Sequence, residues 1–332
     1  MSADVPRIRE TPEDFFVDEI PLYSPSGAGD HTFVRIEKTL RTTEGVAQDL
    51  ADCAGCHTRD IGYAGRKDRF AVTRQWFSVP KFDPQQFAHF EIRGVTVLES
   101  ARHPHKLRTG QLRANHFAIR VRDCSQEIVR RAEDSVARIG ERGLPNRFGA
   151  QRFGRRGDNA ERARLILAGA PPGRDRRAAR FLLSALQAEV FNEVLRLRPL
   201  PFDRVELGDV AIVMASGGLF VVEDAARDNE RVARFEISPT GPIFGRRTLE
   251  PLGSPARRES AVLEALGIPA PTDWHVPKGI ALRGSRRSLR VQPRDLSLRA
   301  RTGDLTLDFE LPAGSYATVL IEEVVGPVCS TN

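Results

Sequence analysis

Apolar and polar residues alternate over 13–20 and again over 31–38, the period of two expected of half-buried strands, with a Ser-, Pro- and Gly-rich loop at 24–30 between them. Beyond them the period lengthens. Val46, Leu50, Cys53 and His57 recur three and four residues apart, which predicts a helix capped by Thr43 and running to about Gly55. Residues 74–79, 90–98 and 113–122 read as further strands, the last with Asn115, Phe117, Ile119 and Val121 on one face. A helical pattern at 125–141 is closed by Gly143 and Pro145.

From Ala160 the texture changes to helices at 161–168 and 175–195, strands at 205–214 and 219–222, Pro- and Gly-rich loops over 238–255 and a helix at 257–266. Alternation returns at 295–301 and 304–311 around Arg301-Thr302-Gly303, a hairpin signal, and an apolar helix follows Thr318 until Gly326 and Pro327.

A chain of 332 residues suggests about two domains, and 40% hydrophobic with 28% charged residues supports packed cores rather than disorder. The net charge is +6, and because the lysines are only Lys38, Lys67, Lys81, Lys106 and Lys278, nearly all the cations are Arg. Arg is suited to bidentate phosphate contacts and to stacking on bases, so a polyanionic partner is favoured over an acidic one. Residues 1–10 are charged and lack the apolar run of a secretory signal, and no stretch of about 20 apolar residues offers a membrane span. A cytoplasmic protein is expected.

Candidate chemistry concentrates in residues 61–76, where Asp68 stands among Arg66, Lys67 and Arg69 in a glycine-bearing turn. Nearby positive charge favours the ionised carboxylate, which can act as a nucleophile. Taken alone, such a turn reads more often as a solvated loop tip. It is not a P-loop, since Gly62 and Gly65 are too close and Asp68 follows Lys67. Cys53-Ala54-Gly55-Cys56-His57 matches a haem-attachment pattern, but its spacing also continues the helix, and no second C-x-x-C completes a zinc site; buried or half-buried helix cysteines are expected. Arg102, Lys106, Arg108 and Arg113 form a dense basic segment of the kind that neutralises phosphates, whereas His103 and His105, split by Pro104 among cations, make a poor metal site. Residues 145–159 interleave Phe148 and Phe153 with Arg147, Arg152 and Arg155, which reads either as a single-strand RNA surface or as a flexible linker.

Together these motifs resemble the TruD family of tRNA pseudouridine synthases. The resemblance runs in order through Thr11-Pro12-Glu13-Asp14-Phe15, Tyr63-Ala64-Gly65-Arg66-Lys67-Asp68 with Ala71-Val72-Thr73-Arg74-Gln75-Trp76, Ala101-Arg102-His103 with Lys106-Leu107-Arg108, Asn115-His116-Phe117, the stretch from Pro145-Asn146-Arg147-Phe148 to Gly154, and Leu311-Pro312-Ala313-Gly314-Ser315-Tyr316. It implies an α+β fold: a pseudouridine-synthase core with a mixed, mostly antiparallel sheet flanked by helices, in two parts, 1–142 and 293–332, with an α/β TRUD domain inserted at 143–292. It further implies isomerisation of uridine 13 of transfer RNA with Asp68 as the catalytic nucleophile, Phe15, Asn115 and Tyr316 lining the base pocket, and Phe117 stacking on the base. Attack on the sugar and assistance to loss of its C2′ proton both stay open at this point.

Two positions depart from the family pattern. Arg9 stands where Lys is common and is expected to pair with Asp68, and Tyr316 stands where Phe is familiar, adding a hydroxyl that needs a partner if buried. Lys67 is then expected to face RNA or a neighbouring loop, and Arg102, Lys106, Arg108, Arg152 and Arg155 to contact RNA. Neither metal nor organic cofactor is required, and the chain is expected to work on transfer RNA as a monomer. A non-catalytic RNA binder would share every basic and aromatic feature except a reason for Asp68, and a nucleoside hydrolase would show an acidic metal cluster that is not apparent.

Overall fold

The computed structural model describes residues 5–154, 156–171, 173 and 175–330. In it the N-terminal alternation becomes strands β1 (Phe15–Pro21), β2 (His31–Thr39), β3 (Val72–Pro80), β4 (Val95–His103) and β5 (Leu112–Arg122), with helix α1 (Thr43–Ala54) between β2 and β3 and α2 (Gln126–Arg142) after β5. Next come α3 (Asn159–Leu167), α4 (Arg176–Leu197), β6 (Val210–Val213), β7 (Leu219–Val221), α5 (Ala225–Ala233), β8 (Ile237–Ile243), α6 (Gly253–Ala265) and β9 (Ser285–Ser288). The hairpin β10 (Arg294–Arg301) and β11 (Asp304–Pro312) and the helix α7 (Ala317–Val325) follow, and a two-residue strand Cys329–Ser330 pairs in parallel with Arg7–Ile8. The chain divides into two units, Met1–Gly140 with Pro293–Asn332, and Glu141–Gln292.

In the first unit the main sheet has the order β10-β11-β5-β1-β3-β2-β4. Neighbours are antiparallel except β1 and β3, which run parallel, so the sheet is mixed and mainly antiparallel. Register places Glu19, Asn115 and Leu311 in one row across β1, β5 and β11, with Val17, Phe117 and Phe309 in the next row on the same face. Val46, Ala47, Leu50 and Ala51 of α1 pack on Val34, Ile36, Phe77 and Val79 of the sheet, and α7 is buried along Val319, Leu320, Ile321, Val324 and Val325. Arg131 of α2 donates to the Val325 carbonyl and ties these two helices together.

Several sequence expectations shift here. Thr42, not Thr43, caps α1: its Oγ1 accepts from the Gly45 amide at 3.0 Å. Thr42→Ala should therefore cost about 1 kcal/mol of stability, read as a lower urea midpoint with an unchanged slope. The helix ends at Ala54 because Gly55 takes the left-handed conformation with φ 63°. His57 thus lies beyond it, Cys53 is exposed rather than buried, and Cys56 is half-buried. Strand β4 is displaced toward the C-terminus from the expected 90–98, because Ala101, Arg102 and His103 pair with Phe33, Thr32 and His31 and extend the ladder into the basic segment.

In the second unit, β7-β6-β8-β9 form a four-stranded antiparallel sheet. Ala160, Ala163, Leu182, Leu183, Leu186, Val190 and Val262 make a core among α3, α4 and α6. Strand β8 occupies part of the expected loop at 238–255, since Pro239, Gly241 and Pro242 argue against a strand. It pairs with β6 through 237–239 and with β9 through 240–243, so each proline has a ladder on one side only and no missing amide is stranded. A Cβ on Gly241 would lie 2.9 Å from the Phe191 ring, so only glycine fits that approach. Phe148 is also unlike its expected role: it is buried edge-on to Phe191 at 5.5 Å, with Arg287 over its ring at 4.2 Å. It packs into the core of this unit.

Candidate active site

The turn carrying Asp68 is held from four directions. Gln75 of β3, fully buried, donates from Nε2 to the Gly65 carbonyl at 3.2 Å and accepts the Thr43 hydroxyl at 2.9 Å. Thr43 Oγ1 in turn accepts the Lys67 amide at 2.9 Å, which explains why this threonine faces inward and leaves capping to Thr42. Lys38 at the end of β2 reaches the Asp68 carbonyl at 2.8 Å and the Lys67 carbonyl at 3.5 Å. Finally, Ala64 accepts the Gly110 amide at 2.7 Å.

Lys67 turns away from solvent. Its side chain is 7% exposed, its ammonium lies 3.0 Å from Glu19 Oε2, and it donates to Asn115 Oδ1. The expectation that it faces RNA is thus corrected: a lysine beside a buried carboxylate is drawn to that charge. Glu19 Oε1 also accepts the Trp76 amide at 3.3 Å, so one buried acid links β1, β3 and the turn and orients the Asn115 amide.

Asp68 itself points the other way, with 44% of its side chain exposed. Arg9 donates from Nη2 to Asp68 Oδ2 at 2.5 Å, and its guanidinium lies 4.0 Å from the centre of the Phe15 ring. Arg9 has φ 60°, a conformation a side chain rarely adopts, imposed where the short strand Arg7–Ile8 leaves its pairing with Val121 and Arg122. Phe15 meets Phe117 edge to face at 6.4 Å, and Phe117 stacks on Phe309 at 5.3 Å. Arg9, Asp68, Phe15, Phe117, Asn115 and Lys67 are therefore linked by direct contacts through one another or through Glu19 and the turn. Tyr316 is half-buried at the start of α7, four residues after Pro312, which pairs with Ala114 next to Asn115.

Of the other expected RNA contacts, Arg102, Lys106 and Arg108 lie in the first unit. Arg102 lies half-buried on β4, Arg108 is exposed, and Lys106 Nζ donates to the Arg59 carbonyl at 2.5 Å. Arg152, in the second unit, is held by Ser184 Oγ at 3.3 Å and sits over Phe148 and Phe181, and Arg155 lies outside the described residues. His103 is buried against Phe33 and Tyr23, with ring centres 4.3 and 5.1 Å apart, and burial pushes its imidazolium below the ordinary range. Among the described residues no group of three His, Cys, Asp or Glu is placed to hold a metal ion, and no helix is long and apolar enough to cross a membrane. Lys38, Thr43, Gln75 and Glu19 were not marked as site residues by the sequence; Gln75 alone carried a signal, as part of the motif that follows Asp68.

A family model described as tRNA pseudouridine synthase D (TruD) matches residues 5–173 and 175–324. A protein named tRNA pseudouridine synthase D from Anaeromyxobacter sp. (strain Fw109-5) is 44% identical, covering 96% of this chain and 92% of its own. One of the same name from Thermus thermophilus is 40% identical, covering 98% and 91%. A solved structure from Methanosarcina mazei, named as a candidate TruD, superposes with a TM-score of 0.75 at 22% identity over 98% of this chain and 96% of that one, and so shares its fold.

Proposed function

The chain belongs to the tRNA pseudouridine synthase D (TruD) family, and on that premise we propose that it isomerises uridine 13 of transfer RNA with Asp68 as the nucleophile. The unit formed by both ends of the chain is the catalytic domain, and Glu141–Gln292 is the inserted TRUD domain. The observation that supports this most is the Asp68 side chain: an exposed acid, 2.5 Å from Arg9, on a turn whose backbone is held by buried partners.

Isomerisation breaks the bond from N1 to C1′, turns the uracil over and joins C5 to C1′, after which the C5 proton leaves. An ionised carboxylate held beside the ribose attacks C1′ as N1 leaves with its electron pair, and C5 of the turned uracil then displaces the carboxylate from C1′ and regenerates it. The detached base has to stay in place while it turns. Phe117, backed by Phe309 and Phe15, offers a rigid aromatic wall, and Asn115, its Oδ1 held by Lys67, presents its amide nitrogen to an acceptor on the base edge. Tyr316 completes the pocket. Extruding the base costs roughly a few kcal/mol, offset by phosphate contacts along the basic surface. The enzyme acts as a monomer and needs no cofactor.

Tritium release from transfer RNA labelled at C5 of uridine tests this directly, because that hydrogen leaves only when C5 has formed the new bond. Wild-type protein should release it, with the product mapped to position 13; no release would reject the synthase reading. Arg9→Ala should slow release about 10- to 100-fold, the worth of a charge-assisted hydrogen bond of about 1.5–3 kcal/mol. An unchanged rate at every pH would exclude a role for Arg9 in orienting Asp68.

A further inference from the structure

Lys38 is unusual for a lysine. It stands opposite the neutral residues Thr73 of β3 and Val95 of β4, is 1% exposed, and is therefore closed to phosphates. Its ammonium donates to three backbone carbonyls: Arg41 at 2.8 Å, Asp68 at 2.8 Å and Lys67 at 3.5 Å. An ammonium has three N–H donors, so each is used, and two of them hold the backbone on which Asp68 is carried.

We propose that Lys38 is a positioning residue for the isomerisation, fixing the carbonyls of Lys67 and Asp68 so that the Asp68 carboxylate stays aimed beside Arg9. This rests on the assignment of Asp68 as the nucleophile. No contact with substrate is involved, and the neutral amine cannot replace the cation: it has two N–H groups for three carbonyls, and they donate more weakly.

The positioning is accordingly sensitive to pH. Burial pushes the Lys38 ammonium down from 10.5 to about 8, against the attraction of Asp68 and Glu44 and with the repulsion of Lys67; on the adjoining segments Arg9 is paired with Asp68, Arg41 with Asp49, and Arg69 donates to the Leu40 carbonyl. Between about 8 and 10.5 the unfolded chain keeps a proton that the native state has lost, so this group makes folding more favourable as pH rises through that window. Activity should fall around pH 8, as the native-state ammonium loses its proton. The opposite signs separate lost positioning from unfolding.

The test measures tritium release and amide exchange of residues 66–69 for wild type, Lys38→Met and Lys38→Arg between about pH 6.5 and 9.5. Wild-type kcat should fall with a midpoint near 8 while the protein stays folded. Lys38→Met should lower kcat about 10- to 100-fold at pH 7 with KM changed less than about threefold, and the gap to wild type should close as pH rises. Lys38→Arg, charged throughout, should lose the limb near 8. A purely structural lysine would instead give a ratio of wild type to Lys38→Met that is constant with pH, and that result overturns the proposal. Should Lys38→Met fail to fold, a flat wild-type profile through this range overturns it equally. Faster exchange at 66–69 in Lys38→Met is expected whether or not tritium is released, so unchanged exchange there rejects the positioning by Lys38, whereas absent release by wild type rejects the synthase reading on which the assignment of Asp68 rests.

Discussion

Asp68→Asn is expected to lower the rate of tritium release by about a thousandfold or more, a barrier increase of about 4 kcal/mol, while affinity for transfer RNA stays within about threefold of wild type. The amide is nearly the same size and keeps an oxygen that can accept from Arg9, so the turn retains its support from Lys38, Thr43 and Gln75. What it lacks is a charged oxygen able to form a bond to carbon. Single-turnover release measured beside filter binding separates the two effects. A variant that retains more than about a tenth of the wild-type rate would exclude Asp68 as the nucleophile, and one that loses binding in proportion to rate would point to an RNA-binding role instead.

The largest effect on stability is expected at Arg286, whose side chain is 1% exposed. Its guanidinium meets Glu259 through two bonds, at 2.9 and 2.6 Å, and donates to Thr240 Oγ1 at 3.0 Å and the Thr240 carbonyl at 3.1 Å. Arg286→Met should cost about 3–5 kcal/mol, because it strands the Glu259 carboxylate in a place where burial already pushes its pKa up. The double variant Arg286→Met with Glu259→Leu should recover most of that loss, since no buried charge is then left unpaired. Urea unfolding of wild type and the two variants checks this. A double variant no more stable than Arg286→Met would show that the hydrogen bonds to Thr240, not the charge on Glu259, carry the effect.

Much of the first unit was legible because it is made of local patterns. The period of two marked β1, β2, β5 and the hairpin of β10 and β11, and the period near 3.6 marked α1 and α2, since in each the buried face repeats along the chain. Legibility failed where burial did not follow a period. Strand β8 is buried over 237–242 yet contains two prolines and a glycine, and α5 is only nine residues long, carries apolar residues only at its two ends, and turns Asp228 inward to Arg231 at 3.0 Å.

The motifs around Asp68 likewise determined the family and singled out one acid, because a turn of Gly, Lys and Asp followed by Gln and Trp is written in consecutive residues. The partners of that acid were decided only by folding. Arg9 lies 59 positions away and arrives through the pairing of a two-residue strand with β5; Lys38 arrives 30 positions away through the end of β2. Lys67 and Asp68 are neighbours in sequence but face opposite environments, one toward buried Glu19 and the other toward solvent. Sequence specifies which charges exist and which local shape carries them. Whether a charge is buried, paired or left exposed depends on long-range strand register, and that is set by the whole sheet.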